Sequence, residues 1–123
     1  MKQKTMRVLI AAFVNTDHPG VLRKVHEQVV ALRDHLPNTI GVAIGDNSRK
    51  VPVGDLACSY LHVPGGAYTP ISRAAAFHVL WEVVQKVQPD VVYFRYPMYD
   101  SHVLRFVREV PNVVFEVQTK AES

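Results

Sequence analysis

Pro89-Asp90-Val91-Val92-Tyr93-Phe94-Arg95-Tyr96-Pro97-Met98-Tyr99-Asp100 opens the stretch that decides the fold, and it runs on to Thr119. Val91 to Phe94 has the unbroken apolar character of a strand buried on both faces. A polar turn, Arg95 to Asp100, leads into a short amphipathic helix, Ser101 to Val110. A second buried-type strand follows over Asn112 to Val117, with Gln118-Thr119 as a polar exit. A strand, a crossover helix and a strand in that order make a parallel, right-handed unit. Ligands of such units sit at the carboxyl ends of the strands, so the residues just after Phe94 and Val117 are the first candidates for function.

The same pattern extends to the amino end. Val8 to Val14 is a continuous apolar run and predicts a central parallel strand. Asn15 to Gly20 is a loop of turn formers. From Val21 the residues Leu22, Val25, Val29, Leu32 and Leu36 recur at helical spacing, and Pro37-Asn38 stops the helix. Thr39 to Ile44 predicts a second strand, Ser48 to Asp55 an irregular connection, and Ala57 to Val63 a third strand. Thr69-Pro70 is a capping hydroxyl followed by proline at a first helical position. The helix it opens, Ile71 to Val87, should bury Ala74, Phe77, Leu80, Trp81, Val84 and Val87. The order β-α-β-β-α-β-α-β, without repeats or low-complexity segments, predicts one α/β domain over residues 1–123. Its expected architecture is a Rossmann-like three-layer domain with a mostly parallel sheet of about five strands. A complete doubly wound domain would carry on past the fifth strand, so the chain reads as truncated there.

Composition narrows the function classes. At 123 residues the chain can bury a core without staples. Its 48% hydrophobic and 20% charged residues are ordinary for a soluble globular protein. A net charge of +3, with scattered basic residues, does not argue for nucleic acid. The lone Cys58 forbids an internal disulfide and favours a reducing cytoplasm. No stretch approaches the roughly 20 apolar residues that cross a bilayer.

Motif chemistry excludes more than it selects. The loop Asn15-Thr16-Asp17-His18-Pro19-Gly20 has neither the three-glycine dinucleotide fingerprint nor a P-loop. Gly20 could offer helix amides to a phosphate, or it could merely ease the turn. His18, His26, His35, His62, His78 and His102 include no recognised metal-ligand spacing, so no metal and no cofactor are expected. No serine sits in a nucleophile elbow, and Cys58 reads as a strand residue.

The wording of several segments resembles one family. Met6-Arg7-Val8-Leu9-Ile10, then Gly20-Val21-Leu22-Arg23-Lys24-Val25-His26-Glu27-Gln28-Val29 with Ala31-Leu32-Arg33, is similar to the opening of GT-B glycosyltransferases of family four. So are Gln88-Pro89-Asp90-Val91-Val92-Tyr93-Phe94-Arg95-Tyr96-Pro97 and Asn112-Val113-Val114-Phe115-Glu116-Val117-Gln118-Thr119. The resemblance implies a retaining transfer of a sugar from a nucleotide-sugar donor to a sugar or lipid acceptor. This chain would be the front part of the acceptor-side domain. It implies Gly20 near the donor phosphates, Lys24 on the acceptor side, and Arg95 and Tyr96 facing the cleft. A permanently charged, planar guanidinium suits such a ligand. Gln118 and Thr119 stand where many relatives carry a His-Asp pair, so no catalytic base carries over. The donor domain and its acidic motif are absent from these 123 residues, which implies that the segment is inactive alone. The expected location is the cytoplasm, or the inner membrane surface in the full-length context. A fifth strand at the sheet edge, with Glu116 its one ionisable residue, predicts a homo-oligomer on that side. Two other readings stay open: a stand-alone oligomerising module, and a small phosphate- or nucleotide-binding domain.

Overall fold

A computed structural model describes residues 6–14, 19–46, 58–64, 69–95 and 100–116. The elements are β1 (Arg7–Val14), α1 (Pro19–Arg33), β2 (Asn38–Gly45), β3 (Cys58–His62), α2 (Pro70–Val87), β4 (Val91–Arg95), α3 (Ser101–Glu109) and β5 (Val113–Glu116). The strands form one all-parallel sheet in the order β3-β2-β1-β4-β5. The fold is therefore α/β, a Rossmann-like three-layer domain.

Strand alternation sorts the core into two layers. Leu9, Ala11, Val92 and Phe94 point to one face, where α2 and α3 supply Phe77, Leu80, Val84, Val103 and Phe106. Val8, Ile10 and Ala12 point to the other, against Val25 and Val29 of α1. Both faces of β1 are thus buried, which is why its sequence reads as an unbroken apolar run. The α2–α3 layer is aromatic at its centre. Phe94 packs edge-on against Phe13 at 5.2 Å and Phe106 at 5.6 Å between ring centres.

Hydrogen bonds outside the ladders hold the amino ends of β1 and β4 together. The Arg7 amide donates to Asp90 Oδ2 at 2.8 Å, and the Asp90 amide to the Arg7 carbonyl at 2.8 Å. Gln88 closes α2 in the left-handed region (φ 50°), with its amide on the Val84 carbonyl. Asn112 enters β5 with φ 58°, a conformation asparagine tolerates better than most residues.

Three expectations need correction. α1 begins at Pro19, so Pro19 and Gly20 belong to the helix and not to the preceding loop. Proline is favoured there because the first helical amide has no partner within the helix. Arg95 is the last residue of β4 and not the first of the turn, since the ladder with β1 runs on to the pair Ala12–Arg95. Finally, Ala74 is exposed and Trp81 keeps 38% of its surface in solvent. The buried stripe of α2 instead runs Arg73, Ala76, Phe77, Leu80, Val84, leaving Ala74 and Trp81 on its flank.

Candidate functional site

The strand order creates a switch point. From β1 the chain winds outward through β2 and β3, then returns across the sheet to β4 and β5. The connection after β1 leads to α1 on one face, and that after β4 leads to α3 on the other. At such a switch point open α/β sheets bind ligands in the crevice outside the carboxyl ends of the strands. The carboxyl ends of β1, β4 and β5 are neighbours in this order.

Three of the residues singled out from the sequence lie around that crevice. Gly20 stands in the first turn of α1, where backbone amides lack intrahelical acceptors. Lys24 follows one turn later and is exposed, and Gln28 one turn after that is half-buried. At a spacing of four these residues share one helix face. Arg95, half-buried at the end of β4, donates from Nη1 to Gln28 Oε1 at 3.2 Å. The bond places Arg95 on the α1 side of the sheet, beside the Gly20–Lys24–Gln28 row. The Lys24 and Arg95 cations and the positive end of a helix make this corner favourable for an anion. Tyr96, Gln118 and Thr119 lie outside the described residues.

The opposite side of the crevice holds a pair that the sequence did not reveal. Thr69 caps α2 by accepting the Ser72 amide at 3.2 Å, and Asp100 caps α3 by accepting the Val103 amide at 3.0 Å. Arg73, in the first turns of α2, is only 6% exposed. Its Nε–H donates to Asp100 Oδ2, so the starts of α2 and α3 are clamped together. The guanidinium lies 5.2 Å from the Phe77 ring centre and 5.8 Å from that of Phe13, within cation–π range. Burial acts to raise the Asp100 pKa. The Arg73 hydrogen bond, the Val103 amide and the charges of Arg73 and His102 outweigh it and hold the carboxyl below its ordinary value. Arg73 thereby fixes Asp100, the cap of α3, against the first turns of α2.

Further along the same end, Asp46 follows β2 and His62 ends β3, with His62 Nδ1 3.8 Å from Asp46 Oδ1. Tyr60, two residues before His62, encloses its hydroxyl without a hydrogen-bond partner. Burial, then the Asp46 charge, push the Tyr60 phenol above its ordinary pKa. In the outer layer a groove of about 350 Å³ runs between α2 and α3, lined by Phe77, Trp81, His102 and Phe106 among others. His102 stacks on Phe77 there at 5.8 Å.

Among the described residues no group of three or more His, Cys, Asp and Glu is placed to hold a metal ion. Among the same residues no helix is long and apolar enough to cross a membrane. No family model, curated protein or solved structure matches this chain.

Proposed function

We propose that the chain is the acceptor-side portion of a retaining GT-B glycosyltransferase, which moves a sugar from a nucleotide-sugar donor to an acceptor. The observation that carries the reading is the Gly20–Lys24–Gln28 row of α1 beside Arg95, at the crevice between β1 and β4. In such an enzyme this corner would meet the donor phosphates, held mainly by a second domain. First-turn amides of α1 and the Lys24 and Arg95 cations would offset the charge of the diphosphate leaving group. Gln28 would fix the guanidinium plane, so that less side-chain freedom is lost on binding.

Titration of the isotope-labelled chain with UDP, followed through its amide resonances, tests the reading. UDP should shift Gly20, Lys24 and Arg95. Arg95→Ala should weaken binding by about tenfold, as expected for one charge-assisted hydrogen bond. Shifts confined to the amino ends of the strands would refute it. The 123-residue chain by itself should neither bind a nucleotide sugar tightly nor turn it over.

A second reading, association through β5, is favoured by a separate observation. Among the described residues β5 is an edge of the sheet, and Val114 on it is 49% exposed. An open edge carrying apolar side chains is a template for pairing with another strand, and a second copy is the simplest partner.

A further inference from the structure

We propose that the groove between α2 and α3 binds a small planar aromatic carboxylate, its ring against Trp81 and its carboxylate on His102 and Arg105. The groove lies on the α2–α3 face of the sheet, opposite α1 and the Lys24–Arg95 corner, so the inference goes beyond the function proposed above.

The groove follows from how the two helices pack. α2 leads into β4 and α3 into β5, and the strands are parallel, so the helices run in the same direction. The Arg73–Asp100 pair clamps their first turns together. Next to it, Phe77 of α2 meets His102 and Phe106 of α3, at 5.8 and 5.9 Å between ring centres. One turn further along, α2 supplies Trp81 and α3 supplies Glu109 to the lining. The small side chain of Ala74 leaves the wall open. The resulting cavity of about 350 Å³ has the size of a small-molecule site.

The lining is aromatic and rich in donors. Phe77 and Phe106 are buried, whereas Trp81 keeps 38% of its surface exposed at the groove. An indole so placed offers a face on which a flat ring can stack. Neither the Trp81 indole nor the His102 imidazole makes a hydrogen bond to another described residue. Each brings an N–H donor, since an imidazole keeps at least one in either protonation state. Arg105 gives its Nε–H to Glu109 at 2.9 Å, and the rest of its guanidinium fork remains for a ligand. That bond also offsets the charge of Glu109, the acid in the lining. His78, at the rim, faces Glu82 at 3.9 Å.

Charge selects the sign of the ligand. A cation is disfavoured, because Arg105 stands in the lining and the Arg73 guanidinium already lies 5.2 Å from the Phe77 ring centre. Donors that outnumber an already bonded acceptor favour an anion, and a planar guanidinium matches a carboxylate. A carboxylate joined to an aromatic ring lies close to the ring plane. The whole ligand is then flat enough to enter between two helices.

The test titrates the isotope-labelled 123-residue chain with 2-naphthoate, its neutral isostere 2-naphthamide, and acetate. Trp81 is the single tryptophan of the chain, so its indole N–H resonance reports on the groove without ambiguity. The naphthoate should shift that resonance and the His102 and Arg105 amides. It should bind about tenfold more tightly than the naphthamide, the value of one charge-assisted hydrogen bond. Arg105→Gln alters a side chain that is 81% exposed; it should remove the preference and leave naphthamide binding unchanged. Trp81→Leu should weaken both ring probes, read at the His102 amide. Equal affinity for naphthoate and naphthamide, or an unmoved Trp81 indole, overturns the site. Acetate binding as tightly as naphthoate also overturns it, because the ring would then contribute nothing. If naphthoate shifts Gly20, Lys24 and Arg95 and leaves the groove unmoved, the groove proposal fails and the reading of that corner as an anion site gains support.

Discussion

Breaking the clamp between Arg73 and Asp100 should cost more stability than any surface ion pair, and the two functions of Asp100 can be separated. Asparagine is as good a helix cap as aspartate, so Asp100→Asn keeps the bond to the Val103 amide and removes the charge together with the oxygen that accepts from Arg73. Arg73, 6% exposed, would then have its buried guanidinium facing a neutral amide in place of the Asp100 carboxylate. Loss of a charge-assisted hydrogen bond sets the cost at about 2–3 kcal/mol. Asp100→Ala also removes the cap and should add about 1 kcal/mol. Because Asp100 is itself 33% exposed, solvent screens part of the pair, and the upper range for a fully buried bridge is not expected. Urea unfolding with linear extrapolation measures both variants, and an unchanged slope would show that the denatured state is not altered. The pH dependence supplies the sign. The folded Asp100 carboxyl titrates below its ordinary 3.8, so the unfolded chain takes up this proton first as pH falls. The stabilisation is complete above the unfolded value and is lost as pH falls through the folded one. The gap between wild type and Asp100→Asn should therefore close on acidification. The reasoning is refuted if both variants lose less than about 1 kcal/mol at neutral pH, the range of an exposed ion pair.

Phe94→Ala should destabilise by about 3–5 kcal/mol, since the side chain is wholly buried and touches Phe13, Phe77 and Phe106; a shift in urea midpoint smaller than that of Val114→Ala would contradict the packing described. Tyr60→Phe, which deletes a buried hydroxyl without a partner, should be neutral or stabilising by about 1 kcal/mol in the unliganded protein, and a loss of more than that would mean the hydroxyl is satisfied. In wild type the Tyr60 phenol ionises above the ordinary 10.0, so its contribution to stability declines as pH rises past that value; an ultraviolet titration of wild type against Tyr60→Phe should show the late-ionising tyrosine. Sedimentation at micromolar concentration should show self-association that Val114→Lys abolishes, and a monomeric wild type would end the β5 proposal.

The order and type of the elements were legible because their signals are local. Val8 to Val14 and Val91 to Phe94 are apolar without a break because each strand is covered on both faces. Thr69-Pro70 announced α2 because a cap needs only the residues of its own first turn. The resemblance drew attention to Gly20, Lys24 and Arg95, and the helix spacing of the first two is readable from their numbers alone. Their proximity to Arg95 is not, since it depends on β4 returning to lie beside β1.

Tertiary structure decided what separate segments do to one another. Arg73 reads as a solvated cation in the string Ile71-Ser72-Arg73-Ala74. It becomes a core residue because Asp100, 27 residues later, meets it and because its guanidinium lies beside the rings of Phe13 and Phe77. Trp81 shows the reverse: its bulk argues for burial, yet the α2 stripe that faces the sheet passes through Phe77 and Leu80, and Trp81 is left at the rim of the groove with α3. Asp46 and His62 are 16 positions apart and carry no motif; only the pairing of Gly45 with His62 makes them neighbours. Periodicity and capping act within a turn or a strand and are written in the sequence, whereas the charge and burial of a polar side chain depend on groups brought to it from elsewhere by the folded sheet.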